Sequence, residues 1–200
     1  MAQLTQSFFE TILRLEGGYQ RDPVDKGNYN TCGELVGTNM GLSAVAYSTW
    51  VGRCVDEAEM RAITRDTAFN FYAWYFNLYN CYKIEDQHLA ELIMNNTMGA
   101  PGPAAKAEQR ALNKLGYKVA IDGSRGPATI AALNKAARAN MPRLYNAIRA
   151  EWLAYLKRLN SKFYPGWLKR MEAFPPIGTT TTWIVPALLA LGFLYLKNRK

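Results

Sequence analysis

The strongest constraint on this chain is the spacing of its apolar residues. Segment after segment places them at i, i+3, i+4 and i+7 between Gly and Pro stops, and few stretches alternate with period two. That spacing predicts a mainly α protein. Ser7-Phe8-Phe9-Glu10 has the form of a capping box, so a helix should start there, bury Phe9, Ile12 and Leu13, and end near Glu16 before Gly17-Gly18. Asp56 and Thr64 should open two more helices, the second carrying Phe69, Tyr72, Phe76 and Tyr79. Further helices are expected from about Asp86 to Met98, Pro103 to about Leu115, Pro127 to about Arg138 and Pro142 to about Lys162. Residues 20–54, rich in Gly, Asn, Asp and Thr, read as a long irregular or partly β segment, a kind of loop usually either functional or disordered. A length of 200 residues with 49% hydrophobic content is ample for one compact domain or two small packed ones.

Charge is unevenly spread. Residues 1–100 carry 12 acidic against 7 basic side chains, whereas residues 101–172 carry 14 basic against 4 acidic. A basic half suits a polyanionic partner or simply forms solvated helix faces. No helix-turn-helix or RNA-binding motif accompanies it, so nucleic acid is not expected as a partner. Cys32, Cys54 and Cys81 match no metal-binding spacing and leave open either one disulfide or three thiols. His88 is the only histidine and reads as a surface or packing residue, so neither a zinc amidase nor a zinc peptidase is indicated, and no cofactor is expected. Met1–Phe9 has neither the basic nor the apolar region of a secretion signal. Trp183–Leu196 is almost wholly apolar and precedes Lys197, Arg199 and Lys200, which reads as a transmembrane anchor with a cytoplasmic basic end. On that reading the protein is anchored in the inner membrane with its body in the periplasm.

Glu16 continues the Phe9/Ile12/Leu13 stripe and lies in the last helical turn. Partial burial and the negative end of the helix dipole both favour a protonated carboxyl, the state required of a general acid. Glycoside hydrolysis needs such an acid and a second carboxylate, for which Asp22 and Asp25 are nearest in sequence. An exposed helix-end residue is the plain alternative for Glu16, and an Asx turn is that for either Asp.

The run Glu16-Gly17-Gly18-Tyr19-Gln20-Arg21-Asp22-Pro23-Val24-Asp25-Lys26-Gly27-Asn28, followed by Gly37-Thr38-Asn39-Met40-Gly41-Leu42-Ser43, resembles glycoside hydrolase family 108, the N-acetylmuramidase-type phage endolysins. The similarity continues through the aromatic helix, Asp122-Gly123-Ser124-Arg125-Gly126-Pro127-Ala128-Thr129 and Phe163-Tyr164-Pro165-Gly166-Trp167-Leu168-Lys169-Arg170. It implies a lysozyme-like helical fold with a short β or irregular active-site segment, and cleavage of the β-1,4 bond between N-acetylmuramic acid and N-acetylglucosamine in peptidoglycan. It also implies a phage or prophage product acting as a monomer in a bacterial host. Glu16 would be the catalytic acid, Asp25 the base that activates water and Thr38 the group that holds it. Tyr19 and Asp22 would contact substrate. Asp122, Arg125 and Thr129 resemble the glycan-binding signature of peptidoglycan-binding modules. The implied organisation is a catalytic region at 1–98, a peptidoglycan-binding-like region at 99–172, a linker at 173–182, and an anchor with basic tail at 183–200. Tyr29–Val36 departs from the family, many members of which have a tight link there, and leaves Asp22 as a rival base. A non-catalytic cell-wall binding protein that kept the fold is the competing function.

Overall fold

The computed structural model describes residues 1–159 and 164–178. Among these residues the chain forms eight α-helices: α1 (Gln6–Glu16), α2 (Ala44–Val51), α3 (Glu57–Arg61), α4 (Arg65–Leu78), α5 (Gln87–Gly99), α6 (Pro101–Lys114), α7 (Pro127–Arg158) and α8 (Tyr164–Glu172). A two-stranded antiparallel hairpin, β1 (Thr38–Asn39) and β2 (Leu42–Ser43), sits between α1 and α2. The mainly α, lysozyme-like reading is thus what the chain forms.

Helix boundaries follow local chemistry. Thr5, not Ser7, caps α1: its hydroxyl accepts from Phe8 N at 3.2 Å, and Glu10 pairs with Arg65 rather than reaching back to the helix start. Asp56 and Glu59 form a reciprocal capping box on α3. The two helices expected at Pro127 and Pro142 run together as α7, which kinks where Asn140 leaves helical geometry, because Pro142 cannot complete the hydrogen-bond ladder.

Packing centres on α5. Leu89, Ala90, Leu92, Ile93, Met94, Asn95, Asn96 and Thr97 are all buried, so this helix presents no solvent face from Leu92 to Thr97. α6 and α7 pack against it. The small residues Ala104, Ala107 and Ala111 of α6 are buried at this junction and permit close approach. Phe9 of α1 meets Phe69 and Tyr72 of α4 edge-on, with ring centroids 5.2 and 6.2 Å apart. Burial of Phe9 and Tyr72 contributes roughly 1.5–3 kcal/mol each.

One buried ion pair ties the centre to the second half. Arg125, in the turn before α7, forms two hydrogen bonds with Glu108 of α6, at 2.7 and 2.5 Å. It also donates to Tyr79 O at 2.6 Å and to Thr97 Oγ1 at 3.0 Å. Burial opposes its charge, but Glu108 more than offsets this and keeps the guanidinium ionised. Residues 173–178 are likewise fixed on α7: Arg149 Nε donates to Phe174 O at 2.8 Å, and Asn146 exchanges bonds with Ile177 at 2.7 and 2.9 Å.

Cys32 and Cys54 form a disulfide, and Cys81 is a buried thiol. The bond staples a small hairpin, in which Tyr29 bridges Leu35 and Asn30 N bonds Glu34 O at 2.9 Å, to the segment after α2. A closed loop of this length stabilises by ~3 kcal/mol.

The expected membrane-anchored location is corrected. No helix among the described residues is long and apolar enough to cross a membrane. The longest, α7, carries Lys135, Arg138, Arg143, Arg149, Glu151, Lys157 and Arg158 along its length. The Trp183–Leu196 segment lies outside the described residues.

Two measurements check this framework. Unreduced protein should yield one titratable thiol in denaturant and none when native, since burial pushes Cys81 up to about 12; reduction should raise the denatured count to the three cysteines of the sequence. Arg125→Ala leaves Glu108 buried and unpaired, so urea denaturation should show a loss of about 3–5 kcal/mol.

Candidate active site

The site begins where α1 stops. Gly17, with φ of 72°, turns the chain sharply and leaves Glu16 as the last helical residue, its side chain one-fifth exposed. Gln20 then pairs with Thr38 through backbone bonds of 2.8 and 2.9 Å, which lays the start of β1 beside the chain leaving α1.

Between these two points the loop is pinned by amides. Gln20 and the fully buried Asn28 exchange side-chain hydrogen bonds at 2.9 and 3.0 Å. Asn28 Nδ2 also donates to Asp22 O at 2.9 Å, while Val36 N and Gly37 N both donate to Asn28 O at 2.9 Å. Asp25 is held within this frame: Oδ1 accepts from Gly27 N at 2.9 Å, and Oδ2 accepts from Gln20 Nε2 at 3.3 Å.

The β1–β2 turn closes the site from above. Met40 and Gly41 both have positive φ, 50° and 77°, as a two-residue hairpin requires. For Met40 that conformation is unusual, and the buried Tyr72 hydroxyl stabilises it by donating to Met40 O at 2.8 Å. Burial raises the Tyr72 phenol well above the usual tyrosine range and the Glu16 charge adds to this, so it remains a donor. A Cβ on Gly41 would strike both the Tyr72 hydroxyl and the Glu16 side chain, so only glycine allows the turn to lie this close.

These parts line one cleft of about 840 Å³. The lining includes Glu16, Gln20, Asp25, Thr38 and Ser43, Met98 and Gly99 of α5, and Gly166, Trp167 and Arg170 of α8. Thr38 lines the cleft, and its Oγ1 is buried without a hydrogen-bond partner among the described residues. Arg170 donates through Nη1 to Glu16 Oε1.

Glu16, Asp25 and Thr38, separated in sequence, therefore come together. The other expected contacts do not. Asp22 makes an Asx turn, Oδ1 accepting from Val24 N at 2.9 Å, and is not among the residues lining the cleft. Tyr19 braces the loop, donating to Val36 O at 3.0 Å with the Arg61 guanidinium 3.8 Å from its ring. Arg125 and Thr129 are buried supports of the turn before α7 rather than groups reaching a surface ligand, because their polar atoms are engaged internally. Asp122 is exposed, but its Oδ1 is shared between Ser124 N at 2.8 Å and Gln109 Nε2 at 2.7 Å, and these bonds hold its carboxyl below the usual range. Sequence reasoning missed Arg170 and Trp167, because Pro165-Gly166 obscures the start of α8. No group of residues able to hold a metal ion occurs among the described residues.

Comparison with known proteins agrees with this layout. Residues 9–99 match the model of glycosyl hydrolase 108, and residues 103–172 match that of a predicted peptidoglycan domain. The chain is similar to the solved structure of Brucella abortus SagA, with a TM-score of 0.64 and 29% identity over 84% of this chain and 92% of that one. A search of curated proteins finds no match. Residues 9–99, which carry Glu16, Asp25 and Thr38, are thus a glycosyl hydrolase 108 region, and residues 103–172, which carry α8, are a predicted peptidoglycan domain, together the layout of a peptidoglycan hydrolase.

Proposed function

We propose that the chain is an N-acetylmuramidase that hydrolyses the β-1,4 bond between N-acetylmuramic acid and N-acetylglucosamine with inversion of configuration. The observation that carries this reading is that Glu16, Asp25 and Thr38 line a single cleft. Glu16 protonates the leaving sugar oxygen. Asp25 removes a proton from water on the opposite face of the sugar, and Thr38 holds that water in line. Asp25 suits the role better than Asp22, because it lines the cleft and a neighbouring side chain holds one of its oxygens there. The region 103–172 keeps the enzyme on its polymer, which concentrates glycan at the cleft.

Digested sacculi analysed by mass spectrometry should release muropeptides with reducing N-acetylmuramic acid. Reducing N-acetylglucosamine would reassign the bond, and uncut glycan would indicate a binding protein. Glu16→Gln should fold normally and lose about 10²–10⁴ of its rate, since the amide keeps the shape but has no proton to give; near-normal lysis by the folded variant would remove Glu16 from the chemistry. Asp25→Asn should damage turnover far more than Asp22→Asn, with Thr38→Val intermediate. Initial formation of the β-anomer, followed by NMR, would reject inversion.

A further inference from the structure

Arg170 is the one guanidinium among the described residues that both lines the cleft and touches Glu16. It is not a loose surface side chain that happens to reach a carboxylate. Its Nε donates to Asn95 Oδ1 at 2.6 Å, and its Nη2 lies 3.5 Å from Met98 Sδ. Asn95 is buried on α5, so two edges of the guanidinium plane rest on the most enclosed helix of the fold. The remaining edge is aimed at Glu16. α8 itself is anchored beneath by Met171 and, just beyond it, Phe174, which are 1% and 6% exposed.

Glu16 needs such a partner. It ends α1 before two glycines, and its side chain has three rotatable bonds. A general acid works only when one oxygen is held within hydrogen-bond reach of the leaving group. Arg170 takes Oε1, which leaves Oε2 as the oxygen available to substrate. An arginine fork sets direction as well as charge, which a lysine cannot reproduce.

We propose that Arg170 is a positioning residue for the Glu16 carboxyl, so that the catalytic centre of residues 9–99 is completed by a side chain from the peptidoglycan domain of residues 103–172. The proposal rests on the reading of Glu16 as the acid. The two halves are then one catalytic unit: docking of α8 against α5 and α7 sets the aim of a residue 154 positions earlier in the chain.

The test uses the full chain and glycan turnover, with circular dichroism and thermal melting to establish folding. Arg170→Ala should lower kcat by about 10²-fold while KM changes by less than about threefold, the signature of a misaligned reacting group rather than lost substrate binding. Arg170→Lys should recover about a tenth of wild-type turnover at best, because it restores charge without the fork. Guanidinium ion at a non-denaturing concentration should partly rescue Arg170→Ala, and sodium at equal ionic strength should not. Should Arg170→Ala fail to fold, Arg170→Lys, which keeps the stem and charge, decides the matter through its kcat alone. Wild-type turnover in either folded variant, a loss confined to KM, or a folded Arg170→Ala that guanidinium fails to rescue overturns the proposal. Full activity of Glu16→Gln would instead overturn the reading beneath it. Loss in Glu16→Gln beside normal turnover in both Arg170 variants would remove the role of Arg170 alone.

Discussion

Everything in this molecule is arranged around a helix whose middle has no outside. α5 is enclosed from Leu92 to Thr97, and its polar residues there are used as fixtures rather than left to water. Thr97 accepts from Arg125, Asn95 accepts from Arg170, and Met98 and Gly99 at its end line the cleft. A helix buried on all sides must be covered by several others, and no single amphipathic partner is enough. Hence α6 and α7 of the basic half cannot be an appendage to the acidic half: their apolar faces meet the same core.

This shared core explains how opposite charges are used. Most ion pairs on the surface, such as Arg61–Glu57 and Arg138–Glu85, are exposed and contribute little. The pairs that shape the molecule lie inward. Arg125–Glu108 is closed to solvent and fully hydrogen-bonded, the condition under which mutual attraction and hydrogen bonds offset the desolvation cost of a buried pair. Arg170–Glu16 lies at the boundary, one-fifth exposed on each side, where it remains fixed yet faces the cleft.

Much of this was legible in the sequence. The Phe9/Ile12/Leu13 spacing leads directly to Glu16 at the end of α1, and the caps at Asp56, Thr64 and Asp86 lie where side-chain chemistry places them. Other features had no local signature. Ser43 caps α2, but Ala44–Val51 is apolar and β-branched with little contrast between faces, so it merges into the surrounding loop. α8 opens on Tyr164-Pro165-Gly166, which reads as a turn, and its helical state depends on Met171 and Phe174 finding the core. Arg125 and Thr129 fit a binding signature by their spacing, yet Glu108 and Gln109, more than a dozen residues earlier, draw them inside. Contacts of that range are set by tertiary packing, and no windowed reading of residue types contains them.

The disulfide has a consequence for where the cleft acquires its final stiffness. Cys32 stands in the hairpin that precedes Gly37 and Thr38, and Cys54 stands beyond α2, so the bond ties the segment leading into this part of the cleft wall to the chain after α2. Such a bond persists only in an oxidising milieu. In a reducing compartment the same wall rests on non-covalent ties alone, notably Asn30 Nδ2 on Val55 O at 2.8 Å. The chain thus carries two mechanical grades of one cleft, and the side of a redox boundary on which it resides selects between them.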